Sequence, residues 1–86
     1  PVLLLNGRYD TAAPRFASME IAEALPNSTV VDFPEGGHVQ VGPFRDPCGA
    51  GIMAQFIDDP TAELDTSCVD AMAPTQFLVP CVPFAC

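Results

Sequence analysis

The sequence has few positive charges: three lysine and arginine residues stand against eleven aspartates and glutamates, and the net charge is -8. A surface of that sign repels both the phosphates of nucleic acids and anionic lipid headgroups. The chain also lacks an apolar run approaching the ~20 residues of a membrane-spanning helix, and it has no basic start followed by an apolar stretch, as in a signal peptide. We therefore expect neither nucleic acid nor a membrane as a partner.

Metal-binding patterns are missing as well. The four cysteines form no C-x-x-C motif, and no histidine lies close enough in sequence to complete a zinc site with them, so we predict no metal and no cofactor. An even number of cysteines favours disulfides, which indicates a secreted or cell-envelope protein. Four buried thiols in a cytosolic protein are the alternative. The cysteines are Cys48, Cys68, Cys81 and Cys86.

The composition is that of a segment that folds, because 49% of the residues are apolar and only 16% are charged. A chain of 86 residues hides only about 60% of its unfolded surface when it folds alone. The first residue is Pro1 instead of methionine, and an apolar run follows at once. We expect a cut or processed piece, and treat 1–86 as a single partial domain with a folded unit over 1–58 and a tail over 59–86.

Two strands and two helices are predicted in the unit 1–58. The unbroken apolar run 1–6 is typical of a strand covered on both faces, and the β-branched and aromatic run 28–33 predicts a second strand. Helical spacing predicts helices over 14–25 and 48–58. Their apolar positions are Ala17, Ile21, Ala24 and Leu25 in the first, and Cys48, Ile52, Met53 and Phe56 in the second. The segment between the strands has room for the crossover that parallel strands need.

The tail is predicted to have no regular structure. Residues 58–70 are rich in acids and indicate a solvated loop; an interpretation as a calcium loop fails because the EF-hand order of ligands and its central glycine are absent. Residues 71–86 carry no charge and contain three prolines. Proline disfavours a helix there, so we expect an extended strap lying over a neighbouring apolar face.

Asp10 and His38 are the residues that suggest chemistry. Each follows one of the two predicted strands, and the loops leaving adjacent parallel strands emerge side by side at the edge where α/β sheets bind ligands. A carboxylate that accepts a hydrogen bond from a histidine ring fixes its tautomer and leaves the other nitrogen free to take a proton. Gly36 and Gly37 would let the loop before His38 bend sharply and approach another segment. The alternative is that both are ordinary turn residues.

These segments resemble those of a known fold. Residues 6–14, N-G-R-Y-D-T-A-A-P, resemble the G-x-x-D-x-x-x-P segment of α/β hydrolases, in which the aspartate is the triad acid. Gly36-Gly37-His38 after a strand is similar to the G-x-G-H or G-G-H loop that carries the base. The resemblance implies an α/β fold class, the C-terminal part of an α/β-hydrolase fold in strand-helix-strand-helix order. It also implies a serine hydrolase with Asp10 as the acid and His38 as the base.

Residues 1 to about 80 resemble one branch more closely, the C-terminal region of tripeptidyl-aminopeptidase-like (TAP-like) hydrolases and secreted proline iminopeptidase relatives. That resemblance implies a disulfide between Cys48 and Cys68, with Cys81 and Cys86 as a possible second pair that fits the pattern less well. It further implies an exopeptidase that releases short peptides or single residues from N-termini. An esterase or lipase of the same fold is the alternative, so the expected substrate is a peptide or an ester.

The family nucleophile is missing from the 86 residues. Its G-x-S-x-G elbow does not occur, and none of Ser18, Ser28 and Ser67 has that context. We therefore expect the chain alone to be inactive and its partner to be the N-terminal remainder of the hydrolase, or a second copy associating through exposed sheet surface. Cys48 is disfavoured as a nucleophile, because a bridged sulfur cannot attack.

A function of another class stays open. The chain could be a secreted binding or structural module, held by two disulfides and catalysing nothing. Such a module should be monomeric and stable by itself, whereas a two-stranded piece of a hydrolase should need a companion surface.

Overall fold

The computed structural model describes residues 1–43 and 45–76. The predicted order of strand, helix, strand and helix is confirmed, and the fold class is α/β. The elements are β1 (Val2–Gly7), α1 (Arg15–Ala24), β2 (Ser28–Phe33), α2 (Pro47–Asp58) and a short α3 (Ser67–Asp70).

The two strands form a parallel pair, as predicted, with α1 as the connection between them. The register runs from Val2 opposite Ser28 to Gly7 opposite Phe33. Because the strands point the same way, their carboxyl ends lie at one edge of the sheet, and the loops that follow them leave from that edge together.

One face of the sheet carries the core. Alternate residues of a strand point to opposite faces, and the side chains of Val31 and Phe33 pack with α2 and α3. Phe33 and Ile52 are the largest fully buried side chains of the described residues. The buried cluster is Val31, Phe33, Cys48, Ile52 and Val69, with Leu3, Leu5, Leu64, Cys68 and Met72 partly buried against it. Full burial of β1 on both faces was expected, but Val2 to Leu5 are only half-buried within the described part.

The predicted apolar face of α1 is wrong. The helix has no buried residue, and Ile21, which was expected to face the sheet, is 47% exposed. Ala24 and Leu25 are exposed too, whereas Ala17, Ser18 and Ala22 are half-buried. The helix is therefore rotated relative to the face that its apolar spacing predicted.

Polar contacts explain this orientation of α1. The sheet face beneath its first turns ends in Asn6 and Asp32, whose side chains bond to each other at 3.2 Å. The Ser18 hydroxyl donates to Oδ1 of Asn6 at 3.1 Å, and Nε of Arg15 donates to Oδ2 of Asp32 at 2.8 Å. Asn6 is buried, so its amide needs these partners, and the helix turns Ser18 towards it instead of Ile21.

The second helix begins with a standard cap. The Asp46 carboxylate accepts a hydrogen bond from the N–H of Cys48 at 2.8 Å, and Pro47 occupies the first helical position, where no N–H is needed. Cys48, Gly49 and Ile52 are its buried residues. Met53 was predicted to lie on the apolar side but is 38% exposed. The predicted side is thus correct for Cys48 and Ile52, while Phe56 is half-buried.

The acidic segment is more ordered than predicted. Residues 58–70 were expected to be a solvated loop, but α3 occupies the end of the segment and places Val69 in the core. The Asp65 carboxylate accepts a hydrogen bond from the N–H of Ser67 at the start of this helix, at 3.0 Å. A helix of four residues has too few positions for a periodic pattern, so the sequence carried no signal for it.

A disulfide joins Cys48 to Cys68 and so holds α3 against α2. This is the pair that the family resemblance implied. Residues 71–76 contain no helix or strand, and the remainder of the predicted extended tail, with Cys81 and Cys86, lies outside the described residues. None of the helices found in 1–43 and 45–76 is long and apolar enough to cross a membrane.

Candidate active site

Asp10 is held rigidly in the loop after β1. Its own N–H donates to the carbonyl of Gly7 at 3.1 Å, and its Oδ1 accepts from the N–H groups of Ala12 at 2.9 Å and Ala13 at 2.8 Å. This is the local bonding that aspartate makes in turns. The residue is buried, so the two backbone donors fix the position of a carboxylate that water scarcely reaches.

The same bonds keep the Asp10 carboxylate ionised. The hydrogen bond from the N–H of Ala13 lowers the pKa of Asp10 most, and the contacts with His38 and the N–H of Ala12 lower it further. Burial acts in the opposite direction but is outweighed. A negative charge therefore persists at Oδ1 and Oδ2 below the pH at which a free aspartate would take up a proton.

His38 lies against this carboxylate. Its Nδ1 is 3.0 Å from Oδ2 of Asp10 and 3.1 Å from Oδ1. The two side chains differ in their exposure to solvent: that of Asp10 is 5% exposed and that of His38 is 64% exposed. When the proton is on Nδ1, it is donated to the carboxylate and the lone pair of Nε2 is free to accept another. The arrangement can serve as an acid-oriented general base.

Backbone hydrogen bonds join the two loops beyond the end of the sheet. The N–H of Arg8 donates to the carbonyl of Phe33, and the N–H of Tyr9 donates to the carbonyl of Gly36, each at 2.9 Å. A Cβ at Gly7 would overlap the carbonyl oxygen of Gly37. Glycine at position 7 is thus what lets the loop that carries Asp10 approach the loop that carries His38.

A family model described as TAP-like protein matches residues 1–68, a span that contains both Asp10 and His38. The chain belongs to this family of α/β hydrolases. No curated protein and no solved structure matches it.

In the TAP-like chain, Gly36 and Gly37 differ in whether a side chain would fit at their positions. A Cβ at Gly36 would collide with the side chains of Gln40 and Phe33, whereas one at Gly37 would meet nothing within 4 Å. Neither glycine has φ in the left-handed region. The backbone of both residues lies close to Gly7, as expected, but only at Gly36 would a side chain be blocked.

Two further residues hold the loop of His38 and were missed from the sequence. Thr75 donates its N–H to Oε2 of Glu35 at 2.7 Å, and the pKa of the Glu35 carboxyl is lowered first by the Thr75 hydroxyl and then by this N–H. Nε2 of Gln40 donates to the carbonyl of Gly37 at 2.6 Å. Neither residue belongs to a motif, and Thr75 is 40 residues from Glu35 in the chain, so no local pattern could have indicated the bond of Thr75.

Two serine hydroxyls are engaged with partners other than the His38 ring. The Ser18 hydroxyl is engaged with Asn6, and that of Ser28 donates to the carbonyl of Ala22 at 3.4 Å. Cys48 is in a disulfide and has no thiolate to offer. Within 1–43 and 45–76, no group of three or more histidine, cysteine or acidic side chains is placed to hold a metal ion.

Proposed function

We propose that the chain supplies the acid, Asp10, and the general base, His38, of a Ser-His-Asp triad in a serine hydrolase. The observation that carries this proposal is the 3.0 Å contact between Nδ1 of His38 and the buried carboxylate of Asp10 at the carboxyl edge of a parallel strand pair. An ionised Asp10 holds the ring in the tautomer with the proton on Nδ1. Nε2 then takes the proton of a serine hydroxyl as it attacks a carbonyl, and returns it to the leaving group.

The serine and the oxyanion hole are proposed to come from a segment outside the 86 residues, the N-terminal remainder of the hydrolase. The absence of a G-x-S-x-G elbow from the sequence supports this, because the family places its nucleophile there. The half-buried apolar residues of β1 and the exposed Phe16 and Ile21 of α1 support it as well. Such apolar surface is typical of a face that another part of a protein covers.

The proposed reaction is release of short peptides or single residues from the N-terminus of a peptide, by acyl transfer to water. Membership of the TAP-like family supports a peptide substrate. The Cys48–Cys68 disulfide supports an oxidising, extracytoplasmic compartment, where such bonds persist.

The test uses the protein expressed from its complete gene, labelled with a fluorophosphonate that reacts only with an activated serine. The unaltered protein should be labelled, and His38→Ala should lose labelling because no base remains to activate the hydroxyl. Ile57→Ala is the matched control: this side chain is 71% exposed on α2, and its removal should leave labelling unchanged. Full labelling of His38→Ala would contradict the proposal.

The substrate class is tested on the same protein with three chromogenic substrates: a tripeptide anilide with a free amino group, the same anilide acetylated, and a short-chain ester. An exopeptidase should cleave the free tripeptide anilide and reject the acetylated one. Turnover of the ester alone would identify an esterase and contradict the peptidase assignment, while leaving the triad intact.

A further inference from the structure

Gln40 lies two residues after His38, and its side chain forms a hydrogen bond with the residue that precedes His38. The side-chain amide of Gln40 donates to the carbonyl of Gly37, the residue immediately before His38, at 2.6 Å. His38 is therefore the central part of a short loop that is closed by a side-chain hydrogen bond. Gln40 itself is half-buried, whereas the His38 ring beside it is exposed.

Three glycines from three parts of the fold make room for Gln40. A Cβ at Gly7, at the end of β1, would collide with Nε2 of Gln40, and a Cβ at Gly36 would collide with Oε1. A Cβ at Gly49, in the first turns of α2, would collide with the backbone carbonyl oxygen of Gln40. Both the side-chain amide and the backbone of Gln40 thus lie against glycines, in space that a larger residue at position 7, 36 or 49 would fill.

Gly49 is informative because α2 has a second glycine, Gly51, with which it can be compared. Glycine inside a helix costs about 1 kcal/mol relative to alanine. At Gly51 a Cβ would meet nothing within 4 Å, so helix geometry alone does not require that glycine. At Gly49 the helix lies directly against the backbone of Gln40, and glycine is what permits the contact.

We propose that Gln40 is a positioning residue that sets the orientation of His38 towards Asp10. This proposal rests on the proposed function, because it assigns Gln40 a role only if His38 is the base. The backbone of Gln40 is seated on α2 at Gly49, and its amide fixes the carbonyl of Gly37, so the chain on both sides of His38 is anchored. The contact of Nδ1 with the Asp10 carboxylate then depends on these two anchors of the backbone.

The test changes Gln40 to methionine in the protein expressed from its complete gene. Methionine has a similar length but no N–H to donate, so it removes the bond to Gly37 and keeps the volume. We expect kcat, per serine titrated with fluorophosphonate, to fall roughly 10²-fold, the effect of misplacing a catalytic group by about 1 Å. KM should stay near that of the unaltered protein, because Gln40 does not touch the substrate in the proposal. The thermal midpoint of unfolding should change little, because Gln40 is not a member of the buried core cluster.

A second pair of variants tests the same contact with Gln40 intact. Gly49→Ala pushes against the backbone of Gln40 and should also lower kcat, whereas Gly51→Ala, two residues away in the same helix, should leave kcat unchanged. Gln40→Glu adds an independent check, since a carboxylate cannot donate to the carbonyl of Gly37 and should lower kcat like the methionine variant.

The outcomes separate the two proposals. If His38→Ala is inactive while Gln40→Met and Gly49→Ala keep the kcat of the unaltered protein, the role of Gln40 is refuted and the triad stands. A raised KM at unchanged kcat, or a lowered thermal midpoint with unchanged kcat per titrated serine, would likewise overturn the positioning role. If His38→Ala retains activity, the proposed function itself fails, and the inference about Gln40 fails with it.

Discussion

Nδ1 of His38 lies 3.0 Å from Oδ2 of Asp10, although the two residues are 28 positions apart in the chain. The Asp10 side chain is buried, and the His38 side chain is exposed. The carboxylate is fixed by the N–H groups of Ala12 and Ala13, while the ring protrudes to the surface. A buried, hydrogen-bonded anion beside an accessible imidazole suits a base that must reach a hydroxyl on another segment.

Replacing Asp10 with asparagine should lower kcat by about 10⁴-fold, as loss of the triad acid does in serine proteases. Asparagine can still accept the hydrogen bonds from Ala12 and Ala13, so the loop should keep its shape. Its side chain carries no charge to stabilise the imidazolium, and its amide can hold the ring in the wrong tautomer. Steady-state kinetics with the cleaved chromogenic substrate measure the effect.

The control for that variant is Asp58→Asn, which removes an exposed acid at the end of α2 and should leave kcat unchanged. A value for Asp10→Asn within about tenfold of the unaltered protein would show that Asp10 is a turn residue without a catalytic role.

The stabilising effect of the Asp10 carboxylate should disappear in acid. The pKa of Asp10 in the folded chain lies below 3.8, the value of a free aspartate, so the ionised form stabilises the fold above that pH, and the effect is lost as the pH falls through the lowered pKa. The difference in thermal midpoint between the unaltered protein and Asp10→Asn should shrink as the pH falls below 3.8. Glu35, Asp59 and Asp65 are present in both proteins and cancel in the comparison. A difference that widened in acid would contradict this assignment of sign.

Removal of the disulfide by the double change Cys48→Ala and Cys68→Ala should lower the free energy of unfolding by about 3 kcal/mol, since the bond closes a loop with a sequence separation of 20. Denaturant titration of the oxidised protein and of the variant measures it. Reduction of the unaltered protein should destabilise it in the same direction. Equal stability of the two proteins would show that the bond does not constrain the unfolded chain.

Truncation of Ile52 to alanine should lower the free energy of unfolding by about 2–5 kcal/mol, because this side chain of α2 is fully buried in the core cluster with Val31 and Phe33. Ile57→Ala, in the same helix but exposed, should change it by less than about 0.5 kcal/mol. Both values come from chemical denaturation of otherwise identical proteins. Similar losses for the two variants would mean that the face of α2 carrying Ile57 is covered as well.

Local patterns were enough to predict the strands, α1, α2 and the place of the candidate site. The apolar run of β1 and the β-branched run of β2 indicate strands by composition, and the segment between them has room for the helical crossover that parallel pairing needs. Once the strands are parallel, residues just after each of them meet at one edge. The proximity of Asp10 and His38 could therefore be predicted without knowledge of any packing.

Contacts between segments distant in the chain decided the rest. Ile21 has the spacing of a core residue, yet α1 turns Ser18 to the sheet because a buried Asn6 needs a partner. The short helix α3 is held by the bond of Cys68 to Cys48, and Gln40 acquires its neighbours only when Gly7, Gly36 and Gly49 come together. Sequence alone determined that β1, α1, β2 and α2 form, and in what order, because those depend on neighbouring residues. Tertiary structure decided which faces are buried and what holds His38, because those depend on polar groups and backbones that meet only in the folded chain.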